Sequence, residues 1–175
     1  MKAIRRLLAA TLAATILLLV FASAFYVWHF DPFVLWAPPD RKLLTVFYNQ
    51  RATFNRLRDM AHEDRELIQD INEQSVAHSR LSAERREEYL RLISSVNRKL
   101  SIESAPNQVT FVFADGNVGL SLWCEWFKGI AYLSNGYENQ GRVVNSLDAL
   151  PKSVDYGVYL VPVEPNWYLI FSKMD

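Results

Sequence analysis

Val109-Thr110-Phe111-Val112-Phe113 is the stretch that decides how this chain folds. Before about residue 107 the apolar positions recur every three or four residues; from this stretch onward they recur every second residue. A change of period from 3.6 to 2 separates a helical half from a stranded half. Runs of helices followed by runs of strands predict an α+β fold, with the helices on one face of an antiparallel sheet.

Toward the carboxy terminus, Asp115-Gly116-Asn117 reads as the turn that closes this first strand. Val118 to Leu133 is strand-like throughout, too long for one ordinary strand. It is either a hairpin turning near Cys124-Glu125 or a strand bent at a bulge near Gly129. Asn135-Gly136 opens a loop that runs to Gly141, and Val143 to Pro151 is a short strand edge or a single helical turn. Tyr156–Val163 and Trp167–Lys173 are two strands joined by Glu164-Pro165-Asn166, where proline pre-sets the turn. In the last strand Trp167, Leu169 and Phe171 share one face, and Tyr168, Ile170 and Ser172 the other. The expected sheet has four or five strands.

Toward the amino terminus, a helix is expected over Ala83 to Leu100, with Ser82 as its N-cap, Glu84 in its first turn, and Tyr89, Ile93, Val96 and Leu100 on its apolar face. Ahead of it, Leu43, Phe47, Phe54, Leu57, Ala61, Ile68 and Ile71 form one apolar stripe, which predicts a long helix from 41 to about 74. Gln50 and Asp64 interrupt the stripe, so packing against the next helix and the sheet is favoured over a homotypic coiled coil. The short break at 75–82 makes the two helices antiparallel. Residues 1–40 read as an appendage; 41–175 as one exported domain, with a helical arm at 41–100 and the sheet at 107–175.

The appendage carries Lys2, Arg5 and Arg6, then Leu7 to Phe30 without an Asp, Glu, Lys or Arg. As a helix that run is about 36 Å long, more than the roughly 30 Å of a bilayer's hydrocarbon core. The basic tip predicts a cytoplasmic amino terminus, and Trp28 and Trp36 the aromatic anchors of the far interface. The expectation is therefore a single transmembrane signal-anchor, with the bilayer as partner of residues 7–30 and the carboxy-terminal domain in the periplasm of a bacterial inner-membrane protein. The alternative is cleavage after Ala22-Ser23-Ala24, releasing the domain to the periplasm.

The 175 residues carry 19 basic and 19 acidic side chains, a balance without a nucleic-acid signature. Residues 41–100 carry net +3 and residues 101–175 net −4, which suggests a helical arm docked on an oppositely charged sheet. A single cysteine, Cys124, excludes an internal disulfide. Its neighbours Trp123, Glu125 and Trp126 would raise a thiol's pKa rather than activate it. His62 and Glu66 share a helical face, but a zinc site needs three or four ligands. Nothing Gly-rich cradles a phosphate, and no serine has the setting of an activated nucleophile. No cofactor is expected. What stands out is aromatic content in the sheet, with Trp126, Lys128, Tyr132 and Tyr168 as a candidate partner surface if one sheet face is left open.

Several residue groups, Phe47-x-x-x-Arg51-x-x-Phe54-x-x-Leu57, Arg86-x-x-Tyr89, Lys128-Gly129-Ile130-x-Tyr132, Ser146-Leu147-Asp148 and Val158-Tyr159-Leu160 leading to Glu164-Pro165-x-Trp167-Tyr168, together resemble a pattern in small membrane-anchored or secreted proteobacterial proteins with no established activity. The resemblance spans about 43–173 and implies a single compact exported domain. The functional expectation is a non-catalytic binding or interaction domain, an envelope accessory or inhibitor working on another envelope protein. The alternatives are a structural homodimer through the 43–71 stripe and an enzyme with a site near Cys124.

Overall fold

The computed structural model describes residues 15–23, 37–117, 125–136, 141–151 and 154–174. A helical stretch over residues 15–23, α1, is followed by α2 (Asp40–Asn49), α3 (Arg51–Glu63), β1 (Asp70–Ile71), α4 (Glu73–Ala77), α5 (Ala83–Val96), β2 (Ser101–Ala105), β3 (Gln108–Asn117), β4 (Glu125–Leu133), β5 (Arg142–Val143), β6 (Gly157–Glu164) and β7 (Trp167–Met174). The strands form one sheet in the order β1-β2-β3-β4-β7-β6-β5. Every pairing is antiparallel except β5 with β6.

The α+β class stands, but the sheet is larger than expected and mixed. Seven strands replace four or five because β1, β2 and β5 are too short to show a period of two in sequence. The transmembrane helix is also corrected. Among the described residues no helix is long and apolar enough to cross a membrane. The single-pass inner-membrane placement falls with it. Beyond α1, the remainder of 7–30, the cleavage motif's Ala24, and the expected anchors Trp28 and Trp36 lie outside the described residues.

The expected helix from 41 to 74 is two helices and a strand. Gln50 breaks the run at φ −116°, ψ 22°, and its N–H still bonds the Val46 and Phe47 carbonyls. The chain therefore kinks between α2 and α3 without leaving the sheet surface. All seven stripe residues are buried, from Leu43 to Ile71. The stripe thus packs within the chain, around a ring cluster in which Phe54 meets Phe111 at 5.0 Å and Phe47 meets Trp167 at 5.1 Å. Burial of each such ring contributes about 1.5–3 kcal/mol.

α5 begins where expected, with the Ser82 hydroxyl accepting the Arg85 N–H at 3.2 Å. It runs antiparallel to α3: Arg85 reaches Glu63 at 2.6 Å, Arg56 reaches Glu88 at 2.8 Å, and the Gln50 amide donates to the Ser95 carbonyl at 3.3 Å. Asp115-Gly116-Asn117 is not a turn. β3 continues through it, paired to Phe127, Trp126 and Glu125 of β4, so the β3–β4 connection falls at 118–124, outside the described residues. The bulge lies on β3, between Val112 and Ala114, opposite Gly129. A Cβ at Gly129 would sit 2.0 Å from the Phe111 carbonyl oxygen, which is why this central position is glycine. At the β6–β7 turn Asn166 takes φ 67°, a conformation asparagine tolerates.

Candidate functional site

α3 turns one polar row toward the sheet edge of the core: Arg51, Asn55, Arg58 and His62, spaced four, three and four residues apart. Two of its cations lie on aromatic rings supplied by adjacent strands. Arg51 sits 4.7 Å from the Trp167 ring centroid, and Arg58 sits 4.6 Å from that of Tyr132. Trp167 and Tyr132 are cross-strand partners in β7 and β4 and meet edge to face at 5.3 Å. Asn55 joins the row, its side-chain oxygen accepting from Arg51 Nη1 and, at 3.4 Å, from Arg58 Nη1. Glu164 fixes Arg51 from the β6–β7 turn at 2.8 Å, and Asp59 holds Arg58 at 2.6 Å.

Beside Arg58 the structure opens into a cleft of about 490 Å³ between the second half of α3, the β2–β3 turn and the end of β4. Arg58, Asp59, His62 and Glu63 form one wall, Asn107 and Gln108 the other, and Tyr132 the floor. The turn wall is pinned, because the Ser134 N–H donates to the Asn107 carbonyl at 3.0 Å. The helix wall is pinned from behind. Arg85 ties Asp64 and Glu63, each at 2.6 Å, and the buried Tyr89 hydroxyl donates to Asp64 at 3.1 Å. Burial, with the Asp64 charge beside it, pushes the Tyr89 hydroxyl well above its ordinary range, so it stays protonated as a donor. The volume lies within the roughly 300–1,000 Å³ of ligand sites, and the walls offer a guanidinium face, an imidazole, carboxylates and amides.

A second polar cluster sits under the amino terminus of α2. Lys128, projecting from central strand β4 and 4% exposed, pairs with Asp40 at 2.8 Å and Asp148 at 2.6 Å. The two aspartates cap one another's segments. Asp40 Oδ2 accepts from the Ser146 hydroxyl and the Leu147 N–H, both at 2.8 Å, and Asp148 Oδ2 accepts from the Asp40 N–H at 2.8 Å. Burial opposes the Asp40 charge, but the Lys128 and Ser146 hydrogen bonds outweigh it and hold its carboxyl below the ordinary range. With its one cation shared by both aspartates and its remaining acceptors bonded across two segments, this cluster reads as a structural pin.

Of the four residues expected on one exposed patch, Trp126, Lys128 and Tyr168 are buried, and only Tyr132 is partly open. Trp126, Lys128 and Tyr132 face the helices, whereas Tyr168 lies on the opposite sheet face. The helices cover the face that holds most of the large rings. Tyr132 is the one brought to the cleft. His62 also reaches it, but α3 ends at Glu63 and Glu66 pairs with Arg65, so the His62–Glu66 helical face does not form. Among the described residues no three His, Cys, Asp or Glu side chains gather as a metal centre. Cys124 lies outside the described residues. Arg58, Asn107 and Gln108 were not singled out from the sequence. The four-three-four spacing of Arg51, Asn55, Arg58 and His62 is the signal that could have found the helix wall.

The chain matches no family model, no curated protein and no solved structure. The functional reading therefore rests on the chemistry of the cleft.

Proposed function

We propose that this protein is a non-catalytic interaction domain that receives a polar segment of a partner protein in the cleft between α3 and the β2–β3 turn. The observation that carries this reading is Arg58, laid flat on Tyr132 at 4.6 Å at the edge of a cleft of about 490 Å³. A guanidinium already stacked and tethered loses little side-chain freedom on binding, and stacked Arg–Tyr pairs are frequent anchors of protein interfaces. Asn107 and Gln108 add amide donors and acceptors, which suit a peptide backbone.

The test is site-specific photocrosslinking from position 108 in cells, followed by identification of the captured protein, alongside Arg58→Ala and Tyr132→Ala. Both variants are expected to fold and to lose capture, with affinity for the identified partner weakened by about tenfold or more, the loss of 1.4 kcal/mol or more typical of an anchor residue. Normal capture by both folded variants would overturn the proposal.

A further inference from the structure

The face of the sheet away from the helices holds a second cavity, of about 240 Å³. Phe127 and Leu133 of β4, Val158 and Leu160 of β6, and Ile170 and Met174 of β7 make its apolar walls. Glu103 of β2 reaches it from the far side, and the Ser172 side chain opens into it. Ser172 is 2% exposed and its hydroxyl has no hydrogen-bond partner among the described residues. Gln108 lines both this cavity and the cleft proposed above for a partner, but Arg58 and Tyr132 line only the cleft and Glu103 and Leu160 only this cavity, so variants at those positions test the two sites separately.

The charge on this face is one-sided. Asp70 stands directly across from Glu103 in the β1–β2 pairing, and Asp115 and Glu125 also act on the Glu103 carboxyl. Among the described residues no Lys, Arg or His forms an ion pair with any of the four. Partial burial, then these three like charges, pushes the Glu103 carboxyl upward. The carboxylates of the first cleft, by contrast, each have an arginine within reach: Asp59 has Arg58 and Glu63 has Arg85. Among the described residues, no side-chain cation is paired with these carboxylates.

The geometry points to a binding site for a small organic cation, an ammonium head beside Glu103 with an apolar body lying along Phe127, Leu160 and Ile170. The Glu103 carboxylate alone would hold only a hydrated ion. The apolar walls alone would take a neutral or anionic tail equally well. Together they select a molecule that is positive at one end and apolar at the other. The volume falls short of drug-sized sites, which limits the occupant to a small molecule. Ser172 supplies a hydroxyl inside the cavity for a second polar contact.

Calorimetric titration of the full chain with octylammonium, octanoate and tetramethylammonium tests this. Octylammonium is expected to bind at least about tenfold more tightly than either of the others, a difference of roughly 1.4 kcal/mol. Glu103→Gln should remove most of that preference, and Leu160→Trp, which fills the cavity, should abolish octylammonium binding; circular dichroism confirms that both fold. Failure of octylammonium to bind, equal binding of octanoate, or an unchanged preference in Glu103→Gln would each overturn the proposal. Arg58→Ala is expected to leave octylammonium binding intact.

Discussion

Lys128 shows how much one side chain can be asked to hold. Its ammonium lies between two carboxylates that belong to segments 108 positions apart in sequence. Lys128→Met keeps the volume but leaves the buried Asp40 carboxylate without its cation and beside the more exposed Asp148, so a loss of about 3 kcal/mol is expected in urea unfolding at pH 7. The pH dependence has a definite sign. The folded Asp40 carboxyl has a pKa below its ordinary value of 3.8, so its contribution is full above that value and fades as pH falls through the lower folded one. The gap between wild type and Lys128→Met should narrow as unfolding is measured below pH 3.8. Gly129 is as constrained for a different reason: Gly129→Ala would set a methyl group 2.0 Å from the Phe111 carbonyl, and loss of the folded state in near-ultraviolet circular dichroism is expected.

At the scale of elements, some of the structure was legible and some was not. β6, β7 and the start of α5 carry strong local signals: alternation, a proline turn, and a serine cap. Ser82→Ala should lower stability by about 1 kcal/mol, read as a shift in the urea midpoint with unchanged slope. The break at Gln50 left no such mark. Gln50 is a good helix former, and the apolar stripe runs on through it, so periodicity alone joins α2 to α3. β1 and β2 were missed because Asp70-Ile71 and Ser101–Ala105 carry one buried apolar residue each, Ile71 and Ile102. Their strand conformation comes from pairing, β1 with β2 and β2 with β3, a tertiary cause that no local pattern displays. Asp115-Gly116-Asn117 misled in the opposite direction, its turn-forming residues being held extended by β4.

For the whole molecule, the sequence distinguished the two faces of β7 but not which one the helices cover. That choice moved Trp126 and Lys128 from an expected surface into the core and left Tyr132 at the cleft. It also left an acidic, apolar-walled face on the other side. Because the folded Glu103 carboxyl is raised, folding is favoured below its ordinary value of 4.5 and that advantage is lost as pH rises through the folded value. Glu103→Gln is therefore expected to melt at a higher temperature than wild type at pH 7, with the difference vanishing under acid conditions. A protein that tolerates such a charge at a cost in stability is the kind in which a site works against the fold.

The Asp40–Lys128–Asp148 pin also has a mechanical consequence. Asp40 opens α2, and Lys128 lies on β4, in the middle of the sheet. Tension applied through the residues ahead of Pro39 would not peel α2 away turn by turn. It would load three charged groups at once and pass straight to the central strand. In single-molecule pulling from residue 37, the wild-type chain should yield in one abrupt rip, and Lys128→Met should let α2 give way first at lower force.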